Sequence, residues 1–301
     1  MSSENDAASV RLSRRSFAAA GLATLLAPAR AGAATASRRI VSLDYGVTTT
    51  LLAIGITPVA IADADEWPIW VVSPPLPAGV ANVGDDLDVN LEVLARLKPD
   101  LIFSTPYLEG ARAVLETIAP VETLTIYAPD GEPLPRSIAA TRRLGETLDR
   151  QAAAEKFLAE SEAAFDGYAE RLARLSPPPL ALINHLDARH ARVYGSHSLY
   201  DNVLDRLGLT NAWTGETNYW GFNTIGLERL ATMPADVRLI AFEPIPPDVP
   251  QMQAASPLWQ SLPFVAAGRI SVLPGVLMFG MLPSALRFAD LLTAHLEAVA
   301  R

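Results

Sequence analysis

Short apolar runs alternate with stretches of helical period along the first third of the chain. Residues 39–43 (RIVSL), 58–62 (PVAIA), 101–104 (LIFS) and 121–126 are brief and rich in apolar residues, which predicts strands. Between them, 48–54 and 111–118 read as helices, the first ended by Gly55. Residues 90–97 place Leu91, Leu94 and Leu97 on one helical face before Pro99 stops the run. Strands separated by helices and short loops imply a parallel sheet covered by helices.

The pattern changes after Pro135. As far as about Leu175 the chain has no further Pro and only Gly145 and Gly167, and Ala, Glu, Arg and Leu dominate. Apolar residues recur at Leu144, Leu148, Ala152, Phe157, Leu158, Ala164 and Phe165. One long helix is expected, roughly 50–60 Å at the standard rise. The alternative is two ordinary helices with a break near Leu148 and Asp149. Ser176-Pro177-Pro178-Pro179 closes the segment. A second alternating block follows. It has strands at 180–184 (LALIN), 192–194, 237–242 (VRLIAF) and 269–273, and helices at 199–207, 226–233, from 256 and at 284–300. The architecture is therefore α/β: two parallel-sheet α/β lobes joined by one long backbone helix, with a cleft between the lobes and little hinge. Its divisions are 37–134 for the N-terminal lobe, 135–176 for the linking helix and 177–301 for the C-terminal lobe.

Residues 1–36 read differently. Ser13-Arg14-Arg15-Ser16-Phe17 is a twin-arginine pattern, a mild apolar run covers 18–29, and small residues occupy 31–36. That order describes a cleaved export signal, and the run is too short to span a membrane. The mature chain is expected to start near Ser37, soluble and outside the cytoplasm.

Half of the 301 residues are hydrophobic, enough for one large core or two smaller ones. A net charge of −9 argues against nucleic acid as a partner, because phosphate binding relies on clustered Lys and Arg. The absence of cysteine excludes disulfides, thiolate metal sites, cysteine nucleophiles and a lipid-bearing N-terminal Cys. The chain has no G-x-S-x-G elbow, H-E-x-x-H, P-loop or G-x-G-x-x-G. No catalytic residue and no cofactor are expected. The stretch Asn184-His185-Leu186-Asp187-Ala188-Arg189-His190 has the composition of a metal site. From a strand into a turn, however, His185 and His190 need not converge on one point, and a bare ion wants three or four ligands.

The aromatic residues say more. Trp67 and Trp70 follow the strand at 58–62, and Tyr107 follows the strand at 101–104. In open α/β sheets ligands bind beyond the carboxyl ends of the strands. Tyr219 and Trp220 lie between Gly215 and Gly221, on a loop where large rings are exposed rather than packed. Trp213 and Trp259 read as core. An aromatic cleft with a few polar groups is the usual small-molecule site.

Several stretches carry a resemblance to a known family. They are Arg39-Ile40-Val41-Ser42-Leu43, Leu52-Ala53-Ile54-Gly55-Ile56 with Pro58, Pro74-Pro75-Leu76-Pro77, and Val83-Gly84 with Asn90-Leu91-Glu92 and Lys98-Pro99. Further on come Asp187 with Arg189-His190, then Asn211-Ala212-Trp213-Thr214-Gly215-Glu216-Thr217-Asn218-Tyr219-Trp220-Gly221, and Pro257-Leu258-Trp259-Gln260 with Leu262-Pro263-Phe264-Val265. From about Arg39 to the C-terminus the chain resembles the periplasmic ferric-hydroxamate siderophore-binding proteins of ABC importers, within the wider iron-siderophore and cobalamin receptor superfamily. The N-lobe pieces are shared across that superfamily, and the tryptophan-glycine loop is narrower. The resemblance implies a periplasmic, non-catalytic, monomeric receptor. It would take up a ferric siderophore and pass it to an ABC importer permease in the inner membrane.

By the same resemblance the pocket Trp falls on Trp220, a pocket Tyr on or beside Tyr107, and a further Trp on Trp70, with Tyr219 next to Trp220. Two positions depart from the pattern. Gly84-Asp85-Asp86-Leu87 puts Asp86 where the family has an Arg that donates to the hydroxamate oxygens. A carboxylate cannot donate, so a chelate carrying ammonium or amide donors suits Asp85 and Asp86 better. Leu277 occupies a late aromatic position, for which Phe279 or Met278 would compensate. Arg189 is the candidate replacement donor. Glu92 or Glu109 in the first lobe and Glu228 in the second are the candidates for docking to permease arginines. The alternatives are a receptor of the same fold for haem, cobalamin or a carboxylate siderophore and, from another class, a direct metal-ion binder or a secreted enzyme.

Overall fold

The computed structural model describes residues 38–85 and 87–301, so the export signal read at 1–36 and Asp86 lie outside the described residues. The first lobe runs β1 (Ile40–Ser42), α1 (Tyr45–Ala53), β2 (Ala60–Ile61), α2 (Trp67–Trp70), β3 (Ala81–Asn82), α3 (Leu91–Leu97), β4 (Leu101–Ser104), α4 (Arg112–Leu115) and β5 (Val121–Thr123). Its five strands are all parallel, in the order β3-β2-β1-β4-β5. Ile40, Val41, Ile102 and Phe103 of the central pair are almost wholly buried. Helices cover both faces, so these strands are apolar on both sides. Short polar side chains start the helices: Asp44 accepts from Val47 N at the head of α1, and Asn90 from Val93 N at the head of α3.

The segment expected as one long helix is two, α5 (Pro133–Thr147) and α6 (Gln151–Leu172). Asp149 takes the left-handed conformation (φ 55°), and Arg150 N donates to Gly145 O at 2.7 Å. The two helices touch at Gly145, where an added Cβ would stand 2.7 Å from the Cβ of Ala154. That close approach explains why the glycine is there.

The second lobe runs β6 (Leu180–His185), β7 (His190–Tyr194), α7 (Leu199–Arg206), β8 (Phe222–Gly226), β9 (Arg238–Phe242), α8 (Val249–Ala254), α9 (Pro257–Ser261), α10 (Pro263–Ala266), β10 (Ile270–Leu273) and α11 (Leu282–Val299). The strand order is β10-β9-β6-β7-β8. β6, β9 and β10 are parallel, whereas β7 is antiparallel to both β6 and β8. The short link between β6 and β7 accounts for the first of these pairings, because a parallel crossover needs a dozen or more residues. Residues 226–233, expected as a helix, are instead the end of β8 and a 3₁₀ turn, Leu227–Thr232.

Three helices tie the lobes together. α5 starts against the second lobe, where Leu134 N donates to Asn202 Oδ1 (3.1 Å), and its Ala140 and Leu144, with Leu148 just past its end, pack with Val47 and Leu51 of the first. α6 returns the other way: Ala154 sits in the first-lobe core, and Leu158, Phe165 and Leu172 in the second. Met281, just before α11, is buried in the first-lobe core, while Leu282, Phe288 and Leu292 belong to the second.

Candidate ligand-binding cleft

A cavity of about 920 Å³ lies where the carboxyl ends of the strands from the two lobes face each other. The first lobe contributes Asp44 and Tyr45 after β1, Asp63, Glu66 and Trp70 after β2, and Asp85 after β3. On the other side of its sheet it adds Thr105 and Tyr107 after β4, and Leu124, Ile126 and Tyr127 after β5. The second lobe contributes Arg192 from β7, Tyr219, Trp220 and Phe222 ahead of and within β8, and Leu277, Met278 and Phe279 after β10.

The loop carrying Trp220 is built by its polar residues. Asn218 Oδ1 accepts from Trp220 N (3.0 Å) and Phe222 N (3.3 Å), and Asn218 N donates to Phe222 O (2.9 Å). This local turn pushes Tyr219 and Trp220 outward. Gly221 holds a positive φ of 81°, and a Cβ there would meet Ser198 N at 2.0 Å, so the loop can rest on the head of α7 only with glycine at this point. Gly215 answers a different need, since Trp213 packs against it: a Cβ would stand 2.6 Å from the indole. The two tryptophans of this segment thus part company. Trp213 is 7% exposed and sits in the second-lobe core, whereas Trp220 opens into the cleft.

Rings from both lobes meet around Trp220. Its centroid lies 6.2 Å from Tyr107 and 5.3 Å from Tyr127, both first-lobe residues, and 5.3 Å from Phe279 and 4.8 Å from Tyr219 in its own lobe. Phe279 also packs edge-on against Tyr127 at 5.9 Å. The Tyr127 hydroxyl donates to the carbonyl of Gly280 (2.9 Å), and burial raises its pKa well above the ordinary phenol value. Tyr107 and Tyr219 remain 38% and 45% exposed, which is high for rings in mutual contact.

The polar groups are unevenly placed. Arg192 lies over the Phe222 ring at 4.8 Å and near Phe279 at 5.9 Å. Among the described residues it forms no ion pair, and its buried Nε has no hydrogen-bond partner. The carboxylates Asp44, Asp63, Glu66 and Asp85 all come from the first lobe, after β1, β2 and β3. Glu66 Oε2 accepts from Trp70 Nε1 (3.1 Å) and so fixes that 40%-exposed indole at the mouth.

Of the residues picked out in the sequence, Trp70, Tyr107, Tyr219, Trp220 and Phe279 line this one cavity. Arg189 does not. It is exposed on the β6–β7 turn, where Asp187 accepts the backbone N–H groups of Arg189 and His190 and leaves the guanidinium outside the site. The cation in the cleft is Arg192. His190, Arg192 and Tyr194 share one strand face while Ala191 and Val193 are buried on the other, but nothing local in the sequence says that this face meets the cleft. Tyr127 was also missed, since it lies past the end of a short strand with no flanking motif. Glu92, Glu109 and Glu228 lie outside the cavity and are exposed. Glu92 faces Arg96 (3.5 Å) and Glu109 faces Arg112 (3.6 Å).

The two histidines of the Asn184–His190 stretch part in the same way as the tryptophans. His185 is buried 6.1 Å from Trp259, and burial lowers its pKa. His190 is exposed against Asp187, whose carboxyl it draws down to about 2. Among the described residues no three His, Asp or Glu side chains gather as a metal site, and no helix is long and apolar enough to cross a membrane.

Two α/β lobes pinned by shared helices around an aromatic cleft are the build of a periplasmic binding protein. The chain belongs to that family, whose model, described as periplasmic binding protein, matches residues 40–277. It is 35% identical over 254 residues to the iron(3+)-hydroxamate-binding protein FhuD of Escherichia coli, covering 84% of this chain and 85% of that protein. It is 28% identical to the achromobactin-binding periplasmic protein of Dickeya dadantii, covering 83% of this chain and 82% of that protein. Among solved structures it resembles the Fe³⁺–Desferal-bound siderophore-binding protein FhuD of Vibrio cholerae. That match has a TM-score of 0.83 at 27% identity and covers 88% of this chain and all of the other.

Proposed function

We propose that this chain is a periplasmic receptor that captures a ferric siderophore of hydroxamate type and delivers it to an ABC importer in the inner membrane. The observation that carries the reading is the meeting of Trp220 with Tyr107, 6.2 Å apart, across a cavity of about 920 Å³ between the lobes. A ferric trihydroxamate is a rounded complex whose iron is already wrapped. Its receptor needs flat apolar walls and a few donors, not metal ligands. The rings of Tyr107, Tyr127, Trp220 and Phe279 offer the walls, and the Arg192 guanidinium offers donors to the hydroxamate oxygens. The likeness to FhuD, an iron(3+)-hydroxamate-binding protein in E. coli, supports the same reading.

Export follows from the twin-arginine segment at 1–36, and the receptor works as a monomer. Glu92 or Glu109 and Glu228, one on each lobe, present charge to the permease; the pairs with Arg96 and Arg112 are exposed and weak enough to be exchanged. Tryptophan fluorescence of the purified chain tests the ligand. A ferric hydroxamate is expected to quench it in a saturable way at micromolar concentration or below, with little response to free Fe³⁺ or Zn²⁺. Saturable binding of bare metal with none of the chelate would overturn the reading.

A further inference from the structure

We infer that the cleft is divided by charge and selects ferric hydroxamates that carry a free ammonium group, over neutral or anionic chelates of the same size. This rests on the receptor reading above and adds to it the class of ligand. The first-lobe strand order β3-β2-β1-β4-β5 sorts the wall. Asp85, Glu66, Asp63 and Asp44 follow the three strands on one side. Tyr107 and Tyr127 follow the two on the other, and it is there that the second lobe adds Trp220 and Phe279.

Arg192 belongs to the ring end, since Phe279 touches both its guanidinium and Tyr127. A chelate core seated on the rings thus puts its oxygens by Arg192, and any arm it bears extends toward carboxylates. Glu66 accepts from Trp70 Nε1 and Asp85 from Leu87 N, both neutral donors, and neither carboxylate forms an ion pair among the described residues. Glu66 is held at the mouth by its bond from Trp70 Nε1 (3.1 Å), which leaves its negative charge in a fixed place to meet an ammonium. An anionic chelate meets repulsion at the same wall.

The test uses two ferric chelates with one core, ferrioxamine B and its N-acetylated form, which differ by a single positive charge. Both are titrated against the full chain by tryptophan fluorescence at low and at moderate salt. The ammonium form is expected to bind about 3- to 10-fold tighter at low salt, since exposed charge pairs contribute modestly, and the ratio is expected to shrink as salt rises. The double variant Glu66→Gln, Asp85→Asn keeps an acceptor oxygen for Trp70 Nε1 and for Leu87 N while removing both charges, and in it the ratio should fall toward one. Equal affinities in the parent chain, or a ratio that survives in the double variant, overturn the charge selection and leave the receptor reading standing. Failure of both chelates to bind overturns the receptor reading and the selection with it.

Discussion

Two clusters of touching rings, one inside the second lobe and one in the cleft, differ in what they can receive. Inside the second lobe, Tyr200 stacks on Phe242 at 4.8 Å and packs against Phe288 at 4.6 Å and Tyr194 at 5.0 Å. In the cleft, Trp220 approaches Tyr127 and Phe279 at 5.3 Å and Tyr107 at 6.2 Å. The spacings are nearly alike, so ring contact alone does not mark a site. Enclosure does. Tyr194, Tyr200, Phe242 and Phe288 are all buried by helices of one lobe, and the tyrosine hydroxyls are spent internally, Tyr200 on Val276 O and Tyr194 on Asn184 Oδ1. The cleft rings come from four segments of two lobes and leave faces uncovered.

Substitutions in the two clusters should separate stability from binding. The largest effect is expected from Phe288→Ala, which empties a fully enclosed site and should cost about 3–5 kcal/mol of unfolding free energy by chemical denaturation. The affinity of the molecules that remain folded should not change. Trp220→Ala should do the opposite. Chelate affinity should fall about 30-fold or more, as for other central aromatic anchors, while the denaturation midpoint stays close to the parent. A large loss of stability with unchanged affinity would move Trp220 into the structural class.

Arg192→Met is expected to weaken a ferric hydroxamate about tenfold, because a charged donor is lost while the packing over Phe222 is kept. The smallest effect should come from Tyr127→Phe. It removes the hydroxyl bonded to Gly280 O and should cost about 1 kcal/mol of stability, with affinity nearly intact if only the ring faces the ligand. Loss of affinity without loss of stability would make Tyr127 a donor to the ligand instead.

The same contrast explains what could be read in the sequence. The strands with continuous apolar runs, such as Leu180–His185 and Arg238–Phe242, were legible because both faces are buried. The two-residue strand Ala81–Asn82 and the glycine-ended Phe222–Gly226 carry too little pattern to be distinguished from loop or helix. The helix break at Asp149 stood in the sequence only as the alternative reading near Leu148 and Asp149, because the contact it permits, Gly145 against Ala154, forms only once the two helices are folded together. Trp220 stood out through its glycines. Arg192 and Tyr127 did not, because their place in the cleft depends on how two sheets face each other, which no local window contains.

The fastening of the halves by α5, α6 and the Met281 junction has a consequence for transport. A receptor stitched at three places is expected to keep nearly one outline whether vacant or filled, and capture then carries almost no toll for selecting a rare shape. Small-angle scattering should give the same radius before and after loading. On the proposed function, an importer would then tell a filled molecule from a vacant one by touching the cargo at the open mouth, beside Trp70 and Tyr219, rather than by sensing a closed posture.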